Sequence, residues 1–216
     1  MKILVTAGPT REKIDPVRFI SNRSSGRMGY ELAAAARDAG FEVVLVSGPT
    51  RLDPPAGVKL IRIESAAEMA AAVKAEARDA GLVIMAAAVA DYRPAETLDH
   101  KLKKSDGELV LKLERTEDIL AALGKAKPAG QILVGFAAET EDLIANARSK
   151  LERKNLDWIA ANSVAEGFAT ATDAVTLLGR GGETVELPRA PKSEIARAIL
   201  RHVFPHLPAA ASQPLP

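Results

Sequence analysis

Short apolar runs alternate with longer amphipathic stretches along the first 160 residues. Lys2 to Thr6, Phe41 to Val46, Val58 to Ile63, Leu82 to Ala87, Ile132 to Phe136 and Asp157 to Ala161 read as strands. Each is bounded by polar or Gly-containing segments, the usual frame of a buried strand. Gly26 to Ala39, Ala66 to Arg78 and Thr140 to Lys154 have helical spacing instead. The first has Ser24 or Ser25 as its expected cap and Gly40 as its stop. In the last, Thr140 is the expected cap, with Glu141 and Asp142 in the first turn, where the helix dipole favours anions.

Strands that alternate with helices predict a mostly parallel sheet with helices on both faces. The fold class is therefore α/β, Rossmann-like and doubly wound. Small β-hairpin insertions are expected in two places. Glu108 to Leu113 alternates like a hairpin strand, and Ala174 to Leu178 with Thr184 to Leu187 flank the turn Gly179 to Gly182. Ser193 to Val203 reads as a final helix, so a single domain over residues 1–204 is expected. The Pro- and Ala-rich tail, 205–216, is expected to be disordered.

Composition narrows the function. The 216 residues contain no cysteine, which excludes disulfides, thiolate metal sites and a cysteine nucleophile. With 29 basic and 28 acidic residues the net charge is +1, so no bulk field draws the chain to nucleic acid or a membrane. The apolar stretch around Leu82 to Ala90 is far shorter than the ~18 residues of a membrane span. The amino terminus lacks the long apolar run of a signal peptide. A soluble, cytoplasmic protein is expected.

In an open α/β sheet, ligands bind beyond the carboxyl ends of the strands. After the first strand comes Ala7-Gly8-Pro9-Thr10-Arg11, which lacks the G-x-G-x-x-G dinucleotide fingerprint. The GPTR word returns at Gly48 to Arg51, and either reading stands, two Pro-containing turns or an anion site in the first copy. The segment Asp15 to Gly29 is dense in hydrogen-bonding groups and runs into a helix start, where free N–H groups attract anions. Arg18 and Asn22 there could hold a phosphate or carboxylate, or decorate a polar loop. Ala86-Ala87-Ala88 leaves room for a flat ring, and Asp91 could serve a metal-bound phosphate or a ribose hydroxyl; tight packing with a surface Asp reads equally well. Lys101-Leu102-Lys103-Lys104 could clamp polyphosphate or be solvated. Phe136 could stack on a base or fill the core. Lys150 and Lys154 share a helix face, solvated or bridged by an anion. The three histidines, His100, His202 and His206, form no ligand pattern, and Gly-x-Ser-x-Gly is absent. Together these positions point to a nucleotide-phosphate or polyphosphate site.

The same words resemble the phosphopantothenate–cysteine ligase family of coenzyme A biosynthesis, in its bacterial CTP-dependent form. They are Gly8 to Gly29 (GPTREKIDPVRFISNRSSGRMG), Leu45 to Thr50, Ala86 to Pro94 (AAAVADYRP), Lys101 to Lys104, Val134 to Thr140 and Arg153 to Asn162. The resemblance implies a ligase that joins 4′-phosphopantothenate to L-cysteine through an acyl-cytidylate, with Mg2+ accompanying CTP. It implies that Asn22, Arg18 and Ala88 hold the acyl part, and that Asn22 and Lys101 serve catalysis. Gly8, Met85, Ala86, Ala87, Asp91, Lys101, Phe136, Lys150 and Lys154 would bind the nucleotide. Thr116, Glu117, Asp118 and Ile119 fall where the bacterial family often has Asn-Pro-Asp-Ile, and the first two depart from it. A homodimer with sites at its interface is implied, as is a decarboxylase carried elsewhere than on this chain. The alternatives are a non-catalytic nucleotide-binding regulatory module and, weakened by the missing fingerprint, an NAD(P)-dependent oxidoreductase.

Overall fold

A computed structural model describes residues 1–103, 108–139, 141–163 and 171–204. Lys104, Thr140 and the 205–216 tail therefore lie outside the described residues. Strands β1 (Lys2–Ala7), β2 (Arg11–Lys13) and β3 (Phe19–Ser21) precede helix α1 (Arg27–Asp38). Strands β4 (Glu42–Ser47) and β5 (Lys59–Arg62) lead to α2 (Ala66–Glu76), which ends in a 3-10 turn at Ala77–Asp79. Then come β6 (Ala80–Met85), β7 (Tyr92–Pro94), β8 (Leu113–Arg115) and α3 (Ile119–Ala126). The chain continues through β9 (Ile132–Glu139), α4 (Leu143–Arg153), β10 (Trp158–Ser163), β11 (Thr172–Gly179) and β12 (Thr184–Pro191), and α5 (Lys192–Val203) closes the described chain. None of these helices is long and apolar enough to cross a membrane.

Eight strands form one sheet in the order β12-β11-β10-β9-β6-β1-β4-β5. Neighbours are parallel from β5 to β10, and the β11–β12 hairpin adds an antiparallel edge. The predicted doubly wound α/β sheet is thus observed, with the second expected hairpin absorbed into the sheet itself. The period-2 alternation of the strands divides the core. Ile3, Val5, Val43 and Leu45 pack with α1 and α5 on one face, while Leu4, Val44 and Val46 pack with α2, α3 and α4 on the other.

Several local expectations change. Helix α1 is not capped by a serine side chain: Gly26 occupies the N-cap in the left-handed region, φ 79°. Ser24 and Ser25 instead accept from the amides of Gly26 and Arg27 within the loop. Crowding accounts for this, since a Cβ on Gly26 would stand 2.7 Å from the Thr50 side chain and 3.0 Å from the Gly8 nitrogen. Helix α4 begins at Leu143 because β9 runs on to Glu139, so Glu141 and Asp142 precede the helix rather than fill its first turn. Residues 108–112 form no strand, and the second short hairpin pairs β7 with β8, Tyr92 opposite Arg115. Helix α3 was not expected at all. Asp118 caps it by accepting from the Ala121 amide at 3.0 Å, and Ile119, Leu120 and Leu123 supply its buried face.

The two GPTR copies pack against each other at the carboxyl ends of β1 and β4. A Cβ on Gly48 would lie 1.9 Å from the Pro9 carbonyl oxygen, backbone that no side-chain rotation can clear. Gly48→Ala should therefore destabilise the chain by about 1–3 kcal/mol, the usual cost of overpacking. Thermal unfolding should show it as a melting point lower by about 2–4 °C per kcal/mol; an unchanged melting point would mean the two loops separate freely.

Candidate functional site

Strands β1 and β6 are neighbours, yet the chain proceeds from β1 toward β4 and β5 and from β6 toward β9 and β10. That reversal opens a crevice at their carboxyl ends. The segment after β6 is held there by a dense set of bonds. The Ala87 amide donates to Thr6 Oγ1 at 3.1 Å and the Ala90 amide to Thr10 Oγ1 at 3.0 Å. The Ala88 amide donates to the Gly8 carbonyl at 2.9 Å, and the Ala88 carbonyl accepts from the Thr10 amide at 3.3 Å and from Asn22 Nδ2 at 3.0 Å. Both threonines are fully buried. The run of small residues lets this backbone lie against the neighbouring loops.

Two hollows flank it. The smaller, about 130 Å³, is lined by Met85, Ala87, Asp91, Phe136 and residues 116–120 of the α3 start, with Lys150 and Lys154 from α4. Thr116 closes its rim by donating to the Ala90 carbonyl at 2.6 Å, and its amide donates to the Asp91 carbonyl at 3.0 Å. Lys150 Nζ donates to the Phe136 carbonyl at 2.8 Å, and Lys154 Nζ bonds the Asp118 carboxylate at 2.7–2.9 Å. Burial pushes the Asp118 carboxyl up, but the Lys154 ammonium and the Ala121 amide outweigh it and hold the group below the ordinary carboxylate range.

The larger cleft, about 310 Å³, shares Ala87, Val89, Asp91, Phe136 and Lys150 with the first. It extends over Ala86 and Ala88 to Asn22 and to the start of α1, where Ser24 to Gly29 line it. Its far wall carries Asn162 at the end of β10, Asp173 at the start of β11 and Lys192 at the start of α5. Asp173 and Lys192 are 2% and 4% exposed. Burial raises the carboxyl of Asp173 against the opposing bonds from Asn162, and burial lowers the ammonium of Lys192 against the attraction of Asp173.

Of the predicted residues, Met85, Ala86, Ala87, Ala88, Asp91, Thr116, Glu117, Asp118, Ile119, Phe136, Lys150, Lys154 and Asn22 come together along these two hollows. Gly8 does not line either. It lies behind the crevice, packed on Gly48, and acts through its carbonyl. Arg18 and Lys101 also stand outside both. The Arg18 turn is nonetheless tied to the segment that carries Lys101, through Leu102. Asp15, 2% exposed, accepts from Arg18 Nε and Nη2 at 2.9 and 2.5 Å, from the amides of Val17 and Arg18 at 2.8 Å, and from the Leu102 amide at 3.1 Å. Arg18 Nη2 also donates to the Leu102 carbonyl at 2.8 Å. The Arg18 guanidinium, first among these partners, holds the Asp15 carboxyl far below the usual carboxylate range.

Sequence reasoning missed Asp15, Asn162, Asp173 and Lys192. Asp15 before a proline had a signal, the Asx-type turn that Asp-Pro favours. The other three gather only through tertiary structure, from segments that read as two strand ends and a helix start. Among the described residues no group of three or more His, Cys, Asp or Glu is placed to hold a metal ion.

The family model described as the DNA/pantothenate metabolism flavoprotein C-terminal domain matches residues 1–206. The coenzyme A biosynthesis bifunctional protein CoaBC of Bacillus subtilis (strain 168) is 49% identical over 205 residues, covering 93% of this chain and 50% of that protein. The chain thus spans about half the length of the curated relatives it matches. Among solved structures, the C-terminal domain of a coenzyme A biosynthesis bifunctional protein CoaBC superposes with a TM-score of 0.81 at 47% identity, covering 94% of this chain and 93% of that one. The DNA/pantothenate metabolism flavoprotein from Streptococcus pneumoniae also gives 0.81, at 27% identity and 95% and 99% coverage.

Asp15 joins the Arg18 turn to the Lys101 segment, so its loss should loosen both. Asp15→Asn is expected to speed hydrogen exchange at the Leu102 amide; equal exchange in variant and wild type would remove the clasp. The sign of its pH effect follows from a depressed folded-state pKa. The clasp's contribution is fully present above the unfolded-chain value of about 3.9 and fades as pH falls toward the lower folded value. Below about pH 4, acid should therefore destabilise wild type more steeply than Asp15→Asn.

Proposed function

The chain belongs to the DNA/pantothenate metabolism flavoprotein C-terminal domain family, and on that premise we propose that it is a ligase that joins 4′-phosphopantothenate to L-cysteine. The observation that carries this reading is the shared wall of the two hollows. Ala87, Asp91, Phe136 and Lys150 border both, so one extended ligand can lie with its base among residues 116–119 and its phosphates over Ala86 to Ala88. The relatives' assignment to coenzyme A biosynthesis supports the same reading.

The chemistry needs an activated acid, because a free carboxylate does not acylate an amine at neutral pH. A carboxylate oxygen of phosphopantothenate bonds to the α-phosphorus of CTP. The bond from that phosphorus to the α–β bridging oxygen breaks, and pyrophosphate leaves with the electron pair. The cysteine amine then bonds to the acyl carbon. CMP departs with the electrons of the C–O bond, and the amine's proton passes to solvent or a nearby base. Asn22, whose amide is anchored on the Ala88 carbonyl, stands where the acyl group would lie. The backbone around Met85 to Ala87 and residues 116–119 is the surface offered to the cytosine. CTP over ATP rests on the bacterial style of the sequence motifs alone. Mg2+ would ride on the triphosphate and neutralise its charge. Such a site needs only one or two carboxylates beside phosphate oxygens, and Asp91, which borders both hollows, fits.

Arg18 and Lys101 lie outside their own chain's hollows, which suits the proposed homodimer, in which they enter the partner's site. Beside Arg18 in the chain, Val17 is 59% exposed and Phe19 45%. Exposed apolar side chains there suit burial against a second copy. A separate or fused decarboxylase and a cytoplasmic setting belong to the same reading.

Purified protein with Mg2+, 4′-phosphopantothenate and cysteine should release pyrophosphate with CTP; no release from folded protein with either CTP or ATP would overturn the ligase and favour a nucleotide-binding regulatory module. Lys101→Ala should still bind CTP while turnover falls at least a hundredfold, since charge-stabilising groups of this kind contribute on the order of 10²–10³. Size-exclusion should place the protein near twice the 22.8 kDa of one chain; a monomer would leave Arg18 and Lys101 without a site to serve.

A further inference from the structure

Lys192 sits where stability alone would not put a lysine. It is the first residue of α5, at the helix end whose dipole is positive and disfavours cations. It is 4% exposed, and burial works against its charge. Arg27, across the cleft at the start of α1, adds like-charge repulsion, which Asp173 offsets. Apolar side chains in place of both Lys192 and Asp173 would avoid all of these costs, and replacing both members of a buried charge pair is often neutral or stabilising. The cleft therefore supplies the reason for the charge.

Asp173 is turned into the protein. Its two carboxylate oxygens each accept from Asn162 Nδ2 at 3.2 Å, and Oδ1 also accepts from the Ala174 amide at 3.0 Å. Its neighbour Lys192 lines the cleft, as do Arg27 and Lys150. Among the described lining residues, Arg27, Lys192 and Asp173 belong to this cleft alone, while Lys150 and Asp91 also border the 116–119 hollow. The part of the cleft away from the 116–119 pocket thus carries two cations and one carboxylate among the described residues, the character of an anion site.

We propose that Lys192, positioned by Asp173 and Asn162, takes the terminal phosphates of the nucleoside triphosphate and stabilises the pyrophosphate as it leaves. This rests on the ligase reading above and assigns residues that the motifs did not reach. As the α–β bridging P–O bond breaks, negative charge builds on the β-phosphate. A fixed ammonium there acts in a water-poor wall, where a preorganised charge is most effective. A zwitterionic amino acid is the competing occupant, its ammonium on Asp173, but that ammonium would meet the like charges of Lys192 and Arg27.

The test compares CTP with CMP, which share the base, ribose and α-phosphate. Titration calorimetry with Mg2+ should show Lys192→Met weakening CTP at least tenfold while CMP stays within twofold. Its melting point should fall, because the buried Asp173 is left without its opposing charge, so binding is compared at a temperature where the variant is folded. Lys192→Gln gives the same comparison should the methionine not fold. Asp173→Asn, which leaves the ammonium but not its anchor, should give a smaller loss selective for CTP, which a merely structural role would not produce. Equal weakening of CTP and CMP, no weakening of either, or a loss confined to L-cysteine would overturn the assignment. Wild type that binds neither nucleotide would instead overturn the ligase reading on which it rests.

Discussion

The structure depends on the backbone pairing between residues 8–10 and 88–90, across the point where the sheet reverses direction. At that point the strands stop, and their amides and carbonyls would be left in a crevice without partners. A buried unpaired amide or carbonyl costs about 1–3 kcal/mol. The chain answers with two fully buried threonine hydroxyls and a short parallel bridge between Pro9 and Ala88. The requirement for small residues follows from it. Gly8, Gly26 and Gly48 let three loops meet at backbone distance, and Ala86 to Ala88 keep the space above them open.

On this frame the cations are held in advance. Lys150 is bonded to the Phe136 carbonyl and Lys154 to the Asp118 carboxylate, so neither has to be gathered from solvent when a ligand binds. Ordering a lysine side chain costs up to about 1.5–2 kcal/mol, and here folding has already met that cost. Asp118 has two duties, since the carboxylate that caps α3 also holds Lys154. The Arg18–Asp15–Leu102 clasp likewise holds the Arg18 guanidinium in place and ties two distant segments together.

Much of this was legible in the sequence, and the legible part has a common cause. The six principal parallel strands and the helices α1, α2, α4 and α5 announce themselves by period, because each buries a face against the sheet. Many of the residues that line the two hollows stand out in the sequence because they follow strands and match family words. What escaped was short or assembled at a distance. Helix α3 spans only eight residues and carries Gly124, whose Cβ would lie 1.9 Å from the Lys154 carbonyl oxygen. No periodicity can reveal a glycine kept for a close approach to a helix that follows later in the chain. The serine caps of α1 failed for a related reason, because Gly26 has to clear Thr50 and Gly8. Asp173 and Lys192 are 19 residues apart and read as a strand end and a helix start. Only the antiparallel hairpin between them puts both on one wall.

That hairpin has a wider consequence. Because β11 runs against its neighbours, it begins and β12 ends at the same edge of the sheet, with Thr172 opposite Pro191. A single contiguous segment therefore contributes Asp173 and Lys192 to the far wall of the cleft and meets the parallel sheet at its edge strand β10, with further bonds to α4 and the loop after it. It is a cassette. Exchange of that segment would alter what the cleft accepts while the crossover helices and central strands stayed as they are. In a lineage under changing demand, specificity could drift at this margin without putting the foldedness of the rest at risk.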